Sequence, residues 1–278
     1  MNQDTLEKSL NNLALGELRF LTSVGSTNVE AAEWAARGAP HLSLVAADQQ
    51  TAGRGRAGRK WFTPPGAALA FSLILRADAL RISKTEKIAR MTGLGAVAVS
   101  QALEQHYGLD AKIKWPNDIL LSGRKAAGVL SEASWTGDQL SALILGVGIN
   151  VASSAVPPDD WDADHAHPFP ATSVEGALEG PVNREKLLHS VLEALLDWLP
   201  QWESAAFFDA WRKRLAMRDA WVQILQSSGT NSKDESALEG QIITLNEDGS
   251  LRIRLRSGSQ RNVRVGDIHL RSVDSSSK

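Results

Sequence analysis

Residues 111–134 read AKIKWPNDILLSGRKAAGVLSEAS, and residues 139–151 read QLSALILGVGINV. Short apolar runs alternate here with turn signals, Ser-Gly after the second run and Thr-Gly-Asp after the third, and each run has the length of one strand. The pattern predicts four consecutive antiparallel strands joined by hairpins, at residues 111–115, 118–121, 125–134 and 139–151. These strands are expected to form the centre of a sheet.

Helices and further strands are predicted on both sides of this stretch, from apolar spacing and capping signals. Thr27 and Glu30 have the spacing of a capping box, and Gly38 suits the left-handed end of a helix. Gly93 and Gly95 predict close packing of a helix against the sheet. The predicted helices span 26–38, 84–107, 183–202 and 207–215, and two more strands span 42–47 and 68–75. Together these elements predict an α+β fold, with a mixed, largely antiparallel sheet and flanking helices.

A change of composition predicts a second domain near the C-terminus. The polar stretch SSGTNSKDESALEG (227–240) precedes three short alternating runs, GQIITL, SLRIRL and QRNVRV, which are separated by turn signals. This is the pattern of a small antiparallel barrel. We predict a large domain at residues 1–216, a small β-barrel domain at 217–273 and a disordered tail at 274–278.

The overall composition excludes several classes of protein. The 30 Lys and Arg residues are balanced by 32 Asp and Glu residues, which does not favour a protein built around nucleic acid. Cysteine is absent, so disulfides, Cys-ligated zinc and thiol nucleophiles are excluded. The polar start and the lack of a long apolar run predict a cytoplasmic protein without a membrane partner.

One local exception to this charge balance is the stretch QQTAGRGRAGRKWFTPPG (49–66), in which cations alternate with glycines. No Asp or Glu occurs between Gln49 and Ala77. Glycines let a backbone approach an anion closely, and guanidinium groups donate forked hydrogen bonds to phosphate or carboxylate. The stretch lacks the Gly-Lys-Ser/Thr ending of a P-loop. It predicts an anion-binding loop, with a solvated turn as the alternative.

Other chemistry-bearing residues have two interpretations each. Lys125 precedes the small residues of KAAGVL, so it either faces an anion in a cavity or lies on the surface. Gly146 and Gly148 lie inside an apolar strand, where they indicate either a bound ligand or a β-bulge. The loop at 152–171 contains His165, His167 and the four aspartates 159, 160, 162 and 164. For this loop a solvated surface is favoured over a metal site.

Six motifs, taken in order along the chain, resemble the catalytic domain of biotin protein ligases. The resemblance extends into the C-terminal barrel and covers roughly residues 20–273. It implies the class II synthetase-like fold of biotin and lipoate ligases, followed by a small Src-homology-3-like barrel. The motifs are GSTN (25–28), QTAGRGRAGRKW (50–61), KWPND (114–118), GRKAAGVL (123–130), GVGINV (146–151) and ATS (171–173).

The resemblance implies an ATP-dependent, AMP-forming ligase. Such an enzyme joins biotin to ATP, releases pyrophosphate, and passes biotin from biotinyl-5′-AMP to a lysine of a biotin carboxyl carrier domain in acetyl-CoA carboxylase or a related carboxylase. Biotin and ATP are the implied substrates, with Mg²⁺ as the implied ion. The 24 residues that precede GSTN are too few for a three-helix DNA-binding module, so we expect the form without a DNA-binding domain, as a monomer or weak homodimer. The alternatives are a lipoate or octanoate ligase of the same fold and a nucleic-acid-binding protein that uses the basic loop.

The resemblance also implies roles for individual residues. The catalytic residues would be Lys125, Arg54 and Arg56. The biotin site would contain Ser26, Thr27, Asn28, Gln50, Arg54, Gly55, Arg56, Lys125, Gly128, Gly146 and Gly148. The ATP and adenylate site would contain Arg56, Arg59, Trp61, Asn117 and Asn150. The carboxylate of Asp118 would hold Mg²⁺.

Overall fold

The computed structural model describes residues 1–82, 88–158, 161, 170–226, 236–264 and 268–272. The helices are α1 (Gln3–Leu10), α2 (Thr27–Ala36), α3 (Ile88–Tyr107), α4 (Val174–Leu178), α5 (Arg184–Trp198) and α6 (Ala205–Arg214). The strands of the large sheet are β1 (Leu18–Val24), β2 (Leu44–Gln50), β3 (Ala68–Arg76), β4 (Ala111–Lys114), β5 (Asp118–Leu121), β6 (Arg124–Thr136) and β7 (Gln139–Asn150). The strands of a second sheet are β8 (Trp221–Gln226), β9 (Ser236–Leu245), β10 (Leu251–Arg254), β11 (Gln260–Val263) and β12 (Ile268–Ser272).

The large sheet has seven strands in the order β1-β2-β3-β7-β6-β5-β4. Strands β1 and β2 are parallel and every other neighbouring pair is antiparallel. The four strands predicted from residues 111–151 are present as consecutive hairpins, which confirms the mixed, largely antiparallel α+β fold. The long hairpin of β6 and β7 lies between β3 and β5, near the middle of the sheet.

The helices cover both faces of this sheet. Helix α2 buries Trp34 on one face, against residues that include Val45 and Ile144. Helices α3, α5 and α6 pack on the other face, where Gly95 lets α3 approach closely, since a Cβ there would lie 2.9 Å from Val129. Gly93 differs from its prediction, because it makes room for Trp211 of α6 and not for the sheet.

Local contacts explain which features of the predicted start of helix α2 are present and which are not. Helix α2 begins at Thr27, as predicted, and Gly38 follows it with φ of 93°. The predicted capping box is wrong, because Ser26 is the N-cap residue and the Thr27 hydroxyl points toward Gln50. Glu30 instead forms a salt bridge with Arg19 at 3.3 Å.

Helix α1 and strand β1 precede the first predicted element, the helix at 26–38. The Asn2 side chain accepts a hydrogen bond from the N–H of Thr5, and the Thr5 side chain reciprocates, so α1 has a true capping box. Leu6 and Leu10 bury the inner face of this short helix. The sequence NQDTLEKSL therefore carries a helix start signal, the Asn2–Thr5 capping box, and an apolar stripe of Leu6 and Leu10.

The second sheet has five antiparallel strands in the order β11-β10-β9-β8-β12, as expected for the small C-terminal barrel. It is joined to the large sheet by Trp115, whose buried indole N–H donates to the carbonyl oxygen of Gly249 over 2.9 Å. The division near residue 217 stays a prediction. The tail at 274–278 lies outside the described residues. None of the helices in the described ranges is long and apolar enough to cross a membrane.

The loop predicted at 152–171 is described only in part. Residues 153–155 form a single 3-10 turn, and Trp161 packs its ring against Phe62 with centroids 4.5 Å apart. His165, His167 and the four aspartates at 159, 160, 162 and 164 lie outside the described residues.

Candidate active site

A cavity of about 410 Å³ opens between the start of α2, the face of β6 and β7, and the loop after β2. Every residue predicted to bind biotin or ATP lines this cavity, and Asp118 is the exception among the predicted site residues. The structure therefore brings the six motifs together around one space. The lining residues that were predicted are Ser26, Thr27, Asn28, Gln50, Arg54, Gly55, Arg56, Arg59, Trp61, Asn117, Lys125, Gly128, Gly146, Gly148 and Asn150.

The basic loop is a short hairpin over the cavity, formed by residues 53–61, and we call it the glycine hairpin. The N–H of Trp61 donates to the carbonyl of Gly53, and the N–H of Gly55 donates to the carbonyl of Arg59. Gly53 is required by this pairing, because a Cβ there would lie 2.3 Å from the carbonyl oxygen of Trp61. The tip turns at Ala57, which has φ of 53°. The loop thus has the paired backbone of a hairpin.

Trp61 lines the cavity and packs its indole ring against glycines of β6 and β7. A Cβ on Gly148 would lie 2.3 Å from its indole ring, and a Cβ on Gly128 would lie 3.2 Å from it. A Cβ on Gly146 would lie 2.0 Å from the Oδ1 of Asn28. These three glycines line the cavity as predicted, but the close approach that they allow is made by side chains of the chain itself. A β-bulge is not the reason for Gly146 and Gly148, because both pair regularly with β3 and β6.

Lys125 lines the cavity and does not lie on the surface. Its Nζ is 2.7 Å from the Oδ1 of Asp118, and the Nζ of Lys114 is 3.5 Å from the Oδ2 of the same carboxylate. Burial would raise the pKa of Asp118, but the ammonium groups of Lys125 and Lys114 outweigh it and lower the pKa to about 2. Burial lowers the pKa of Lys114, although Asp118 opposes that change. Two cations and one carboxylate thus lie together near the start of β6, and of these three groups Lys125 lines the cavity.

The predicted Mg²⁺ ligand does not fit this arrangement. Asp118 is only 6% exposed, does not line the cavity, and is engaged by two ammonium groups that repel a metal ion. Among the residues that the structure describes, no group of three His, Asp or Glu side chains could hold a metal ion. Asp118 is therefore corrected from a metal ligand to the ion-pair partner of Lys125.

The two arginines of the hairpin contact different elements, Arg54 strand β6 and Arg56 the turn between β4 and β5. The guanidinium of Arg54 forms an ion pair with Glu132 of β6 at 2.9 Å. The Nη1 of Arg56 donates to the Oδ1 of Asn117 over 3.3 Å, and Asn117 in turn donates to the carbonyl of Val129 over 3.1 Å. The hairpin is thereby connected to Glu132 of β6 and to the turn between β4 and β5.

Several lining residues were not predicted. Phe62, Arg124 and Trp161 line the cavity, and Glu132 reaches its edge through Arg54 and Asn28. Glu132 had a readable signal, since it lies four residues after Gly128 on the same strand and so faces the same side of the sheet. Trp161 had none, because the loop around it has no periodicity.

The comparison with known proteins agrees with this geometry. A model of the biotin/lipoate A/B protein ligase family matches residues 21–150. A biotin–[acetyl-CoA-carboxylase] ligase of Paracoccus denitrificans is 33% identical over 246 residues, which cover 87% of this chain and 95% of that protein. A bifunctional ligase/repressor of Bacillus spizizenii is 31% identical over 250 residues, covering 89% of this chain and 72% of that protein.

A solved structure extends the similarity to both sheets. The biotin protein ligase of Aquifex aeolicus in complex with biotin and ATP is 27% identical, has a TM-score of 0.75, and matches 92% of this chain and 99% of that one. The extent of the Paracoccus match and the shared fold lead to one conclusion. The chain belongs to the biotin/lipoate A/B protein ligase family and, within it, to the biotin protein ligases.

Proposed function

We propose that this chain activates biotin with ATP and transfers it to a lysine of a biotin carboxyl carrier domain. The observation that carries the proposal is the convergence of Lys125 and the hairpin arginines on one cavity that also contains the amides of Asn28 and Gln50. An anionic carboxylate and phosphate suit the cations, and a ring that both donates and accepts hydrogen bonds suits the amides. The named relatives, which are biotin ligases, support the same reading over lipoate.

The first reaction forms the mixed anhydride. A carboxylate oxygen of biotin attacks the α-phosphorus of ATP, the bond to the β-phosphate oxygen breaks, and pyrophosphate leaves with that electron pair. We assign to Lys125 the stabilisation of negative charge on the carboxylate and α-phosphate, because its ammonium is held in place by Asp118. Arg54 and Arg56 are assigned to the same anions from the hairpin side.

The two substrates are assigned to two groups of lining residues. Ser26, Thr27 and Asn28 at the start of α2, together with Gln50 at the end of β2, are assigned to the biotin ring. Arg59, Asn117 and Asn150 are assigned to the nucleotide. The indole N–H of Trp61 is buried and has no hydrogen-bond partner among the described residues, so it is available to a ligand oxygen. Gly55 allows the hairpin backbone to approach, and Gly128, Gly146 and Gly148 form the floor.

Mg²⁺ is assigned to the phosphates of the incoming ATP and not to a carboxylate of the described chain. Neutralising those phosphates is the chemistry that the ion supplies when it is bound. The described residues present amide groups and guanidinium groups to the nucleotide, and these groups bind phosphate oxygens directly.

The second reaction needs no nucleophile from this chain. The uncharged amine of the acceptor lysine attacks the acyl carbon of biotinyl-5′-AMP, the bond to the phosphate oxygen breaks, AMP leaves, and the new amide loses one proton. The role of the protein is to keep the intermediate away from water until the carrier arrives. The glycine hairpin, placed over the cavity, is the element that we assign to this task.

Three broader properties belong to the same proposal. The near balance of 30 cations and 32 acids supports a ligase that acts without DNA, and we place it in the cytoplasm with its carrier protein. We propose a monomer or weak homodimer, which sedimentation at several protein concentrations measures directly. A salt-dependent affinity of the protein for DNA would contradict the first of these properties.

The experiment that tests the function uses radiolabelled biotin or lipoate with ATP, MgCl₂ and a purified carrier domain. We expect label from biotin to appear on the carrier only when ATP is present, with release of AMP and pyrophosphate. A carrier domain whose acceptor lysine is replaced by arginine is the matched control. Labelling by lipoate and not by biotin would establish the alternative substrate instead.

A further inference from the structure

A chain of polar contacts runs around the cavity, and one of its members, Glu132, has no role in the function proposed above. We call this series of contacts the closing network. Its six members are Gln50, Thr27, Ser72, Asn28, Glu132 and Arg54. It starts at the last residue of β2 and ends at Arg54 in the glycine hairpin that follows that strand. The network therefore connects the hairpin, across the cavity, to the strand from which the hairpin emerges.

The first half of the network joins β2 to α2 and β3. The Oε1 of Gln50 accepts hydrogen bonds from the backbone N–H and the hydroxyl of Thr27, at 2.9 and 3.2 Å. The buried Oγ of Ser72 lies 2.8 Å from the Oγ1 of Thr27 and donates to the Oδ1 of Asn28 over 2.6 Å. Because Thr27, Asn28 and Ser72 are buried, a bond that is lost here leaves a polar group without water.

Glu132 completes the network from β6. One carboxylate oxygen accepts a hydrogen bond from the Nδ2 of Asn28 at 2.7 Å, and the other is 2.9 Å from the guanidinium of Arg54. An ionised carboxylate only accepts hydrogen bonds, so it holds the Nδ2 of Asn28 toward itself and leaves the Oδ1 facing Ser72. One side chain thus sets the orientation of a buried amide in the cavity and anchors the hairpin above it.

We propose that Glu132 is a positioning residue that couples closure of the glycine hairpin to occupation of the cavity beside Asn28. It acts through Arg54 and Asn28 and does not touch the reacting atoms. A ligand bound to Asn28 steadies the amide and the carboxylate together, and the carboxylate then holds Arg54 and the hairpin over the intermediate. This inference rests on the proposed function, because it concerns how the same cavity retains its adenylate.

Opening of the hairpin can be measured by the rate of cleavage with trypsin, since trypsin cleaves after Arg54, Arg56, Arg59 and Lys60. Glu132→Gln removes the charge and keeps the size of the side chain. In the ligand-free variant we expect roughly fivefold faster cleavage within residues 54–60, the effect of losing one partly exposed ion pair. Cleavage at the wild-type rate would overturn the proposal.

Glu30→Gln is the matched control for this measurement. Glu30 is also an ion-paired carboxylate, with its side chain 25% exposed against 30% for Glu132, but it pairs with Arg19 on the outer side of α2. We expect the wild-type rate of hairpin cleavage in this variant. Equal acceleration in both variants would mean that general loosening, and not the closing network, controls the hairpin.

Retention of preloaded biotinyl-5′-AMP is the second measurement. We expect Glu132→Gln to release it about fivefold faster and to raise the KM for biotin, with the KM for ATP unchanged. A purely structural role would change both KM values and the melting temperature together. A wild-type protein that forms no adenylate would refute the proposed function, and the cleavage rates would still decide the role of Glu132.

A variant of the partner residue guards against a folding defect in Glu132→Gln. Arg54→Gln removes the same ion pair from the half-exposed hairpin, where the fold does not depend on it. We expect it to accelerate cleavage after Arg56 and Arg59 to the same extent, and the double variant to show no further increase. Additive effects of the two substitutions would overturn the coupling.

Discussion

The ammonium group of Lys125 lies 2.7 Å from a carboxylate oxygen of Asp118 that is shielded from water behind the cavity wall. Lys114 approaches the other oxygen of that carboxylate at 3.5 Å. Two ammonium groups and one carboxylate leave an excess of one positive charge. The ion pair with Asp118 therefore fixes the position of the Lys125 ammonium, while the three groups together keep a net positive charge. That charge can stabilise a developing phosphate anion.

Replacement of Lys125 by alanine is expected to abolish most adenylate formation while the protein still folds. Lys114 remains as a partner for Asp118, so the buried carboxylate keeps one counter-charge. We expect the rate of biotin-dependent pyrophosphate–ATP exchange to fall by about 10²–10³-fold, the range for one lost electrostatic donor. Lys125→Arg, which keeps the charge, is the control. A wild-type exchange rate in Lys125→Ala would place the essential cation elsewhere.

The stability of the protein is expected to depend on Asp118 at low pH. Its pKa in the folded state is about 2, below the ordinary value of 3.8, so ionisation of this group stabilises the folded state. Ionisation of Asp118 contributes about 2 kcal/mol to the free energy of unfolding. This contribution is complete at pH values above the ordinary pKa and is lost as the pH falls from 3.8 toward 2. Urea unfolding between pH 2 and 6 measures it. Asp118→Asn is expected to remove this part of the pH dependence, and an unchanged pH profile would contradict the assignment.

Replacement of Gly148 by alanine is expected to displace Trp61 and weaken ligand binding. A Cβ at this position would lie 2.3 Å from the indole ring, and the regular pairing of β7 leaves the backbone little freedom to move. We expect the free energy of unfolding to fall by about 1–3 kcal/mol, as for an overpacked core. Calorimetry with biotin and thermal unfolding measure the two effects. Gly180→Ala, where nothing lies within 4 Å of the new Cβ, is the control.

Replacement of Arg56 by glycine is expected to release the intermediate early. The substitution removes the contact of 3.3 Å with Asn117 and makes the tip of the hairpin more mobile. We expect dissociation of biotinyl-5′-AMP to accelerate about tenfold, the effect of one charged hydrogen bond. Gel filtration of preloaded protein measures retention. Arg256→Gly, in the second sheet, is the control, and equal retention by wild type and Arg56→Gly would contradict the prediction.

The fold could be predicted where local pattern and environment agree. The hairpins of residues 111–151 are visible because strand-length apolar runs alternate there with glycine turns. Helix α1 and strand β1 were not predicted, although Asn2 and Thr5 carry a capping signal. The wrong capping box of α2 shows the limit of spacing, because the hydroxyl of Thr27 is taken by Gln50, a residue from the next strand.

The sequence predicted which residues line the cavity. It did not predict which partner each of these residues contacts. Motif order identified the residues that line the cavity. It could not show that Asp118 faces Lys125, since the pairing of β5 with β6 through an irregular register brings them together. It also could not show that Gly146 and Gly148 accommodate Asn28 and Trp61, because side-chain packing across the sheet leaves no mark in a single strand.

The bond from the indole of Trp115 to the carbonyl of Gly249 has a consequence for truncated forms of the chain. Trp115 lies in the turn that contains Asn117 and leads into Asp118, the first residue of β5, and it is 1% exposed. Removing the second sheet would uncover this indole and leave its N–H without a partner, next to the residues that face Arg56 and Lys125. No described residue of the second sheet lines the cavity, yet that sheet supports one cavity wall through its bond to Trp115.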